Sequence, residues 1–501
     1  KSLIFCATSI FANDMNSMWT RNRLLKSLLA LGLLPLSSFA LSKGEAQKED
    51  LLPDKVDVIV IGSGAAGMSA AISAKDKGAK TVILEKMPII GGNTLISSGV
   101  VNAPDEKNQK LQGIEDSNEW FYKQTLAAGH DKADPALVKV LTDRSYQTIQ
   151  WLESIGVKFK KGVFQVYGGL WPRGHYPSVS HGRGYVAALS EQCRAKDIPI
   201  LTNVEVVALI KEGSRVVGVE ARFKNQLRKF YADKAVIIAS GGFSANKALY
   251  AKLDPRLEGM TFTGASSATG EMIGIAEKAG AAVSDMEYIQ CNLGPDIGYT
   301  HRSGYHLDVT RHVLVNIRGK RFVAEDGARD YLRDAVLQQP NKIVYSIVDK
   351  NGFQNLSSLF QQAGILGEIE GEHFESNDLA ELAKKMKVPP ENLVNTIKEY
   401  NQAVETKKDP YGREVWMLMQ KIETPPFYAA RVRMAVHYTM GGIVINEKAQ
   451  VLSKEREPIK GLYAAGEVTT GVHGSNRVGG NGLLDAFVFG RIAGENAAVG
   501  L

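Results

Sequence analysis

The chain has 501 residues, 44% hydrophobic and 23% charged, the composition of a globular protein of two or three domains and not of a disordered or fibrous one. Its net charge of +6 falls to +3 without residues 1–40, which carry four basic residues and one acid and leave 56 basic against 53 acidic. There is no basic run or aromatic–basic stripe, so nucleic acid is not expected as a partner; Cys6, Cys193 and Cys291 lie far apart, which argues against a zinc site, a CxxCH haem or a disulfide framework, and no metal is expected.

Residues 1–40 read as an N-terminal extension with an export signal. Met18-Trp-Thr-Arg-Asn-Arg is a basic region, Leu28–Leu36 a short apolar core, and Ser38-Phe-Ala40 a small-x-small cleavage site. The stretch TRNRLLK at 20–26 resembles a degenerate twin-arginine signal, with an ordinary secretory signal as the alternative. Either route predicts a periplasmic protein with no stable membrane span, since the apolar run is too short to cross a bilayer. Residues 1–17 are read as upstream read-through and are set aside from the fold.

A polar linker, 41–54, precedes Val56–Ile61, a buried strand. Gly62-Ser-Gly-Ala-Ala-Gly67 follows, then a helical stretch from Met68 to Lys77 and a second strand at Lys80–Glu85. This is a βαβ unit with GxGxxG at its first turn and an acid about twenty residues on, the pattern that binds a dinucleotide. The glycines allow a tight turn and close approach of a pyrophosphate to a helix N-terminus. Glu85 is placed to accept hydrogen bonds from a ribose. More strands are expected at Val204–Ile210, Val216–Ala221 and Ala235–Ala239, and near the C-terminus at Gly461–Glu467, with a closing helix from Leu483. Between them, 288–419 carries more charge and two helical stretches, Asp378–Lys387 and Glu391–Thr406. The fold class predicted is α/β: a discontinuous Rossmann-like domain in two parts, 55–287 and 420–501, with an inserted α+β capping domain at 288–419.

Further glycine turns, Gly91-Gly-Asn-Thr94, Ser240-Gly-Gly242, Ala465-Gly-Glu467 and Gly479-Gly-Asn481, accompany the first, and no second GxGxxG is present. A long, resident FAD needs many close backbone approaches, so non-covalent FAD fits better than NAD(P)H. Most informative is His473-Gly-Ser-Asn-Arg-Val-Gly-Gly-Asn-Gly-Leu-Leu484, which sets a rigid fork of donors, Arg477, among glycines.

The order GSGAAG, LEK, GGNT, ASGGF, VHYTMGGI and LYAAGEVTTGVHGSNRVGGN, over about 55–500, resembles the flavoprotein subunit of fumarate reductases and succinate dehydrogenases. It is most like the soluble, exported flavocytochrome c fumarate reductases and their relatives that reduce other enoates. The resemblance implies a capping domain that closes over substrate. It matches Arg477 to an arginine that clamps a substrate carboxylate, and His437 to a histidine bonding the same substrate. Arg329, in GKRFVAEDGARD, matches a capping-domain arginine taken as proton donor, and Glu467 an acid that binds FAD. With the turns, it assigns FAD contacts to Gly62, Gly64, Ala66, Gly67, Glu85, Lys86, Gly92, Asn93, Thr94, Val206, Ser240, Gly241, Gly242, Glu467, Gly480, Asn481 and Leu483.

The chemistry follows. Reducing an activated C=C takes a hydride, here from flavin N5, on one carbon and a proton on the other; cations at the carboxylate stabilise the developing charge. Arginine is an unusual acid. It serves if it gives up its proton fleetingly and is refilled, and Asp308 and His306 are the expected relay groups. Structural alternatives are an ion pair of Arg329 with Glu325, Asp326 or Asp330, a core role for His437, and a flavin-phosphate contact for Arg477.

The sequence also departs from the family. Asn292, in Ile289–Gly294, stands where a QxHPT-like stretch would have histidine, and Gly304–Val309 lacks a Thr-Glu pair. One carboxylate clamp is kept and the other rebuilt, with Tyr299, Tyr305 and His306 making that end more aromatic. A 2-enoate with one carboxylate clamp is expected, of acrylate, methacrylate, urocanate or cinnamate type, with unaltered fumarate chemistry as the alternative. With no CxxCH and no NAD(P)H site, electrons are expected from a separate exported cytochrome c or flavin carrier, in anaerobic respiration. Competing readings are a ketosteroid dehydrogenase or L-aspartate oxidase of the same fold, and a non-enzymatic electron-transfer subunit.

Overall fold

The structure, a computed structural model, describes residues 55–500 except 180 and 300, so the export signal lies outside the described residues. Lys55–Ile61 is central in an eight-stranded sheet. It pairs in parallel with Thr81–Leu84 on one side and with Gln226–Ile238 on the other. Ile200–Leu201 continues one edge and Pro458–Ala464 the other, so the C-terminal part of the chain returns beside the first part as expected. All four residues of Thr81–Leu84 are buried, as are the last four of Lys55–Ile61; parallel strands covered on both faces read as unbroken apolar runs for that reason. The antiparallel pair Val204–Glu212 and Arg215–Phe223 leans off Gln226–Ile238.

Two helices lie together against this sheet, Ala65–Asp76 and Asn481–Val499. A Cβ on Gly490 would sit 2.5 Å from the Ala66 carbonyl oxygen, and one on Gly494 2.1 Å from that of Ala70. The small residues of the closing helix therefore let the two backbones touch.

A second sheet of six strands forms the cap. Its spine is Phe427–Thr439, antiparallel to Ile289–Pro295 and to Val344–Val348, which in turn pairs with Val313–Asn316. Leu379–Met386 and Pro390–Thr406 cover it, and Val313, Ile347, Leu382, Leu393, Tyr400 and Phe427 share a second core. The spine strand runs on to Thr439, past the boundary expected at 419/420, and the sheet also takes Thr261–Phe262 from the first part. Partners as far apart as Ile289 and Thr439 leave no local signal at either strand. Among the described residues Cys193 and Cys291 are free and buried, and no helix is long and apolar enough to cross a membrane.

Candidate active site

The spine strand and its neighbour set the site. Their register puts Gln290 opposite Tyr438, at the end of the cap sheet that meets the loop before the closing helix. Gln290 is buried, and its amide oxygen accepts from Arg329 Nη1 at 3.0 Å and from Arg477 Nη2 at 2.9 Å. Its Nε2 donates to Asn476 Oδ1 and to the Arg477 carbonyl. One neutral amide thus spans two guanidinium groups.

Neither arginine forms an ion pair among the described residues, although Glu467 and Asp485 act on Arg477 from further off. Arg329 Nη2 donates to the Tyr167 carbonyl at 2.8 Å, and its guanidinium lies 5.4 Å from that tyrosine's ring centre. Arg477 lies 4.3 Å over the Tyr438 ring, with Nη1 3.3 Å from the Val478 carbonyl. The Nε of each is buried without a partner. A desolvated cation without an ion pair is costly, which marks a place kept for a ligand and not for stability. Burial first, and Arg477 next, pull the Arg329 guanidinium down to about 9; burial also lowers Arg477. Arg329 opens the helix Arg329–Leu337, so it also sits at the positive end of a helix dipole, where cations are disfavoured.

The acids near Arg329 in the sequence are spoken for. Glu325 receives Arg321 at 2.7 Å and Arg413 at 2.6 Å; burial alone would raise its carboxyl, but the two arginines hold it down to about 2. Asp326 accepts from the Glu414 N–H, and Asp330 meets His130 at 2.6 Å. The acids of GKRFVAEDGARD thus pin the loop and leave Arg329 to the site. Gly168, at φ +68°, makes room for it: a Cβ there would lie 2.4 Å from Arg329 Nε.

His437 stands near the end of the spine strand, and its Nδ1 lies 2.6 Å from the Thr263 hydroxyl. Burial, then Arg329, Arg477 and Arg302, keep the ring well below the ordinary histidine value, so it is neutral. Asp308 does not join the group. Its carboxylate is taken by Arg311 at 3.0 Å, Thr310 and Asn355, and no bond links it to Arg329 among the described residues. The other expected relay group, His306, is buried close by, its ring edge-on to Tyr167 at 5.1 Å.

The cofactor positions fit an FAD. Gly64 caps Ala65–Asp76 without a side-chain bond and no acid occupies the first turn, leaving a helix N-terminus open to a pyrophosphate. Gly62, at φ +102°, and Gly67 bring strand, turn and helix into contact. Thr94 bonds the Ala65 N–H, and Glu85 accepts from Ser63 and from the Met87 N–H at the strand end. Glu467 accepts from Asn93 and from the Thr439 N–H, tying the Gly91–Thr94 turn to the cap strand, and burial pushes its carboxyl up to about 7. Gly242 lies against it, Gly480 caps the closing helix, and Asn481 bonds Asn102. Ala66 and Val206 are buried, while Lys86 pairs with Glu271 at 3.1 Å. Gly67→Ala would put a Cβ 1.9 Å from the Gly62 carbonyl oxygen. Such overpacking costs about 1–3 kcal/mol, so FAD affinity is expected to fall roughly 10- to 100-fold, read as a lower visible-to-ultraviolet absorbance ratio of the purified protein.

Gln290, Tyr167, Thr263 and Arg302 also belong to this site and were not expected from the sequence. Gln290 lies inside the Ile289–Gly294 stretch, where the departure at Asn292 drew the reading; the others carry no motif.

The family described as FAD binding domain matches residues 57–483. A fumarate reductase (cytochrome) of Shewanella frigidimarina is 37% identical over 467 residues, 91% of this chain and 80% of that protein. An acrylate reductase flavoprotein subunit of Shewanella woodyi is 32% identical over 499 residues, 94% of this chain and 97% of its own length. The open conformation of a flavocytochrome c3 fumarate reductase superimposes with a TM-score of 0.72 at 31% identity, over 97% of this chain and 82% of that one.

Proposed function

The chain belongs to the FAD-binding flavoprotein family of the fumarate reductases, and from that premise we propose that Arg477, His437 and Arg329 reduce the C=C bond of an α,β-unsaturated carboxylate. It is an FAD-dependent oxidoreductase acting on CH–CH groups. One observation carries the site assignment: two buried guanidiniums share the amide oxygen of Gln290, form no ion pair among the described residues and each leave Nε without a partner.

Reduced FAD, when bound, supplies the hydride. Arg477 and His437 receive the substrate carboxylate. The Thr263 hydroxyl lies 2.6 Å from Nδ1; in the tautomer in which that hydroxyl donates, the neutral His437 ring carries its proton on Nε2 for a carboxylate oxygen. As negative charge grows toward that carboxylate, these donors stabilise it without having to reorganise. Arg329, held by Gln290 and Tyr167, gives its proton to the second carbon, so each carbon of the former double bond gains one hydrogen. Its lowered proton affinity makes the transfer less uphill than from a solvated guanidinium. We place the enzyme at the end of an exported anaerobic electron-transfer chain, with a cytochrome c or flavin carrier as donor; the basic and apolar stretches of residues 18–40 support export.

The test is anaerobic. The flavin is reduced with dithionite, then fumarate, acrylate, methacrylate, urocanate and cinnamate are added separately. Rapid reoxidation by at least one acid is expected, and silence from all five would overturn the reading.

A further inference from the structure

A cluster outside the active site joins two parts of the cap. The helix Ser358–Ile369 ends at Glu370, and no basic residue stands in its last turn. The negative end of its dipole therefore meets a run of acids, Glu368, Glu370 and Glu372, where carboxylates are disfavoured. His301 reaches the same place from the loop that follows strand Ile289–Pro295, with Nδ1 2.9 Å from Glu370 Oε2. One carboxylate oxygen of Glu370, one of Glu372 and a ring nitrogen of His301 all lie within 4.8 Å of one another. The same loop carries Arg302, whose Nη2 is 3.4 Å from His306 Nε2.

Glu372 is the informative member. It is fully buried; Oε1 accepts from the Asp296 N–H at 3.2 Å, and Oε2 is buried without a partner. The arginines on the spine strand do not serve it, since Arg431 and Arg433 both face Asp296. His373, the next residue, is turned to the Gly364 carbonyl through Nδ1. A buried carboxylate oxygen with neither donor nor cation is costly, and here a second carboxylate stands beside it. One divalent cation would offset both. Little movement is needed: donor atoms about 2.0–2.2 Å from a tetrahedral zinc lie roughly 3.3–3.6 Å apart, between the 2.9 Å of the closest pair and the 4.8 Å limit of the set. An imidazole with two carboxylates suits zinc, whereas calcium and magnesium take oxygen donors throughout. Glu370 is partly exposed, which opens the cluster to solvent and leaves a coordination position for water. We propose that His301, Glu370 and Glu372 bind one zinc-type divalent cation, which fastens the loop carrying Arg302 to the strand His373–Ser376 of the cap. The cysteine spacing gave no reason to expect a metal, and ligands 69 residues apart form no motif. The inference is independent of the reductase reading.

The experiment strips the FAD-loaded protein with EDTA, removes the chelator and titrates it calorimetrically with zinc chloride, with calcium chloride as the comparison. Wild type is expected to bind one Zn²⁺ per chain, more tightly than Ca²⁺, and to melt at a higher temperature with Zn²⁺ than without it. Glu372→Gln keeps the shape and removes the buried charge. It should weaken Zn²⁺ by at least the roughly 10- to 100-fold that loss of an outer-shell partner costs, while the metal-free variant melts no lower than metal-free wild type. Glu370→Gln, at a partly exposed position that folding does not depend on, should weaken Zn²⁺ in the same way. Zinc binding left intact in both variants would place the ion elsewhere and overturn the site. So would the absence of a one-to-one zinc isotherm in wild type, or tighter binding of Ca²⁺ than of Zn²⁺.

Discussion

Arg329→Gln is expected to lower kcat by about 10²- to 10⁴-fold, the span of a lost general acid, with KM changed only a few-fold and FAD still bound. Glutamine ends where Arg329 has its Nε and so gives up the bonds to Gln290 and the Tyr167 carbonyl, but the loop does not rest on them. The loop is held independently by Glu325 between Arg321 and Arg413, and none of those bonds passes through Arg329. What the variant lacks is an ionisable proton. The wild-type pH profile carries the same information. Arg329 must be protonated to donate, and its guanidinium is held down to about 9 by burial and by Arg477. kcat/KM, which reports the free enzyme, should therefore be level below that value and decline as pH rises through it, by about tenfold per unit. The decline should be absent from the residual rate of the glutamine variant. A variant within tenfold of wild-type kcat would remove Arg329 from the role of acid.

The parts of this molecule legible in the sequence are those whose causes are local. The βαβ unit was readable because strand, glycine turn and helix follow each other within thirty residues, and the acid Glu85 closes the pattern. The helices Leu379–Met386 and Pro390–Thr406 were readable to within about a residue, and the structure shows Asp378 capping the first and Pro390 opening the second. Arg329, His437 and Arg477 were found through motifs, and the structure does bring them to one place around Gln290 and Tyr167. What was not legible is what depends on distant pairing. Phe427–Thr439 becomes the spine of the cap only because residues 289–295 and 344–348 reach it. Asp308, expected as a relay group, is engaged locally by Arg311, Thr310 and Asn355, contacts that no motif announces. Arg302 went unremarked because an arginine in a polar loop is ordinary in a sequence. Only the fold shows that its guanidinium faces a histidine and no acid.

Arg477→Met should cost most in substrate capture. Methionine fills similar volume against Tyr438 but has no donor, so the carboxylate loses its fork and keeps only His437. Truncating one partner of a buried, hydrogen-bonded charge pair costs roughly 2–5 kcal/mol, which predicts a fall in kcat/KM of about 30- to several-thousand-fold. FAD should remain, because the turns that would hold it, around Gly62–Gly67, Gly91–Thr94 and Gly480–Asn481, do not use the Arg477 side chain. The effect should also be non-additive with changes at Gln290. That amide oxygen accepts from both Arg329 and Arg477, so Gln290→Leu loosens the two arginines at once. Partners in one network couple by about 0.5–3 kcal/mol, and the double variant should be less impaired than the product of the single losses. Independent effects would mean that Gln290 does not organise the pair. Loss of the flavin from Arg477→Met, with substrate affinity intact in the fraction that keeps it, would move Arg477 from the carboxylate to the cofactor.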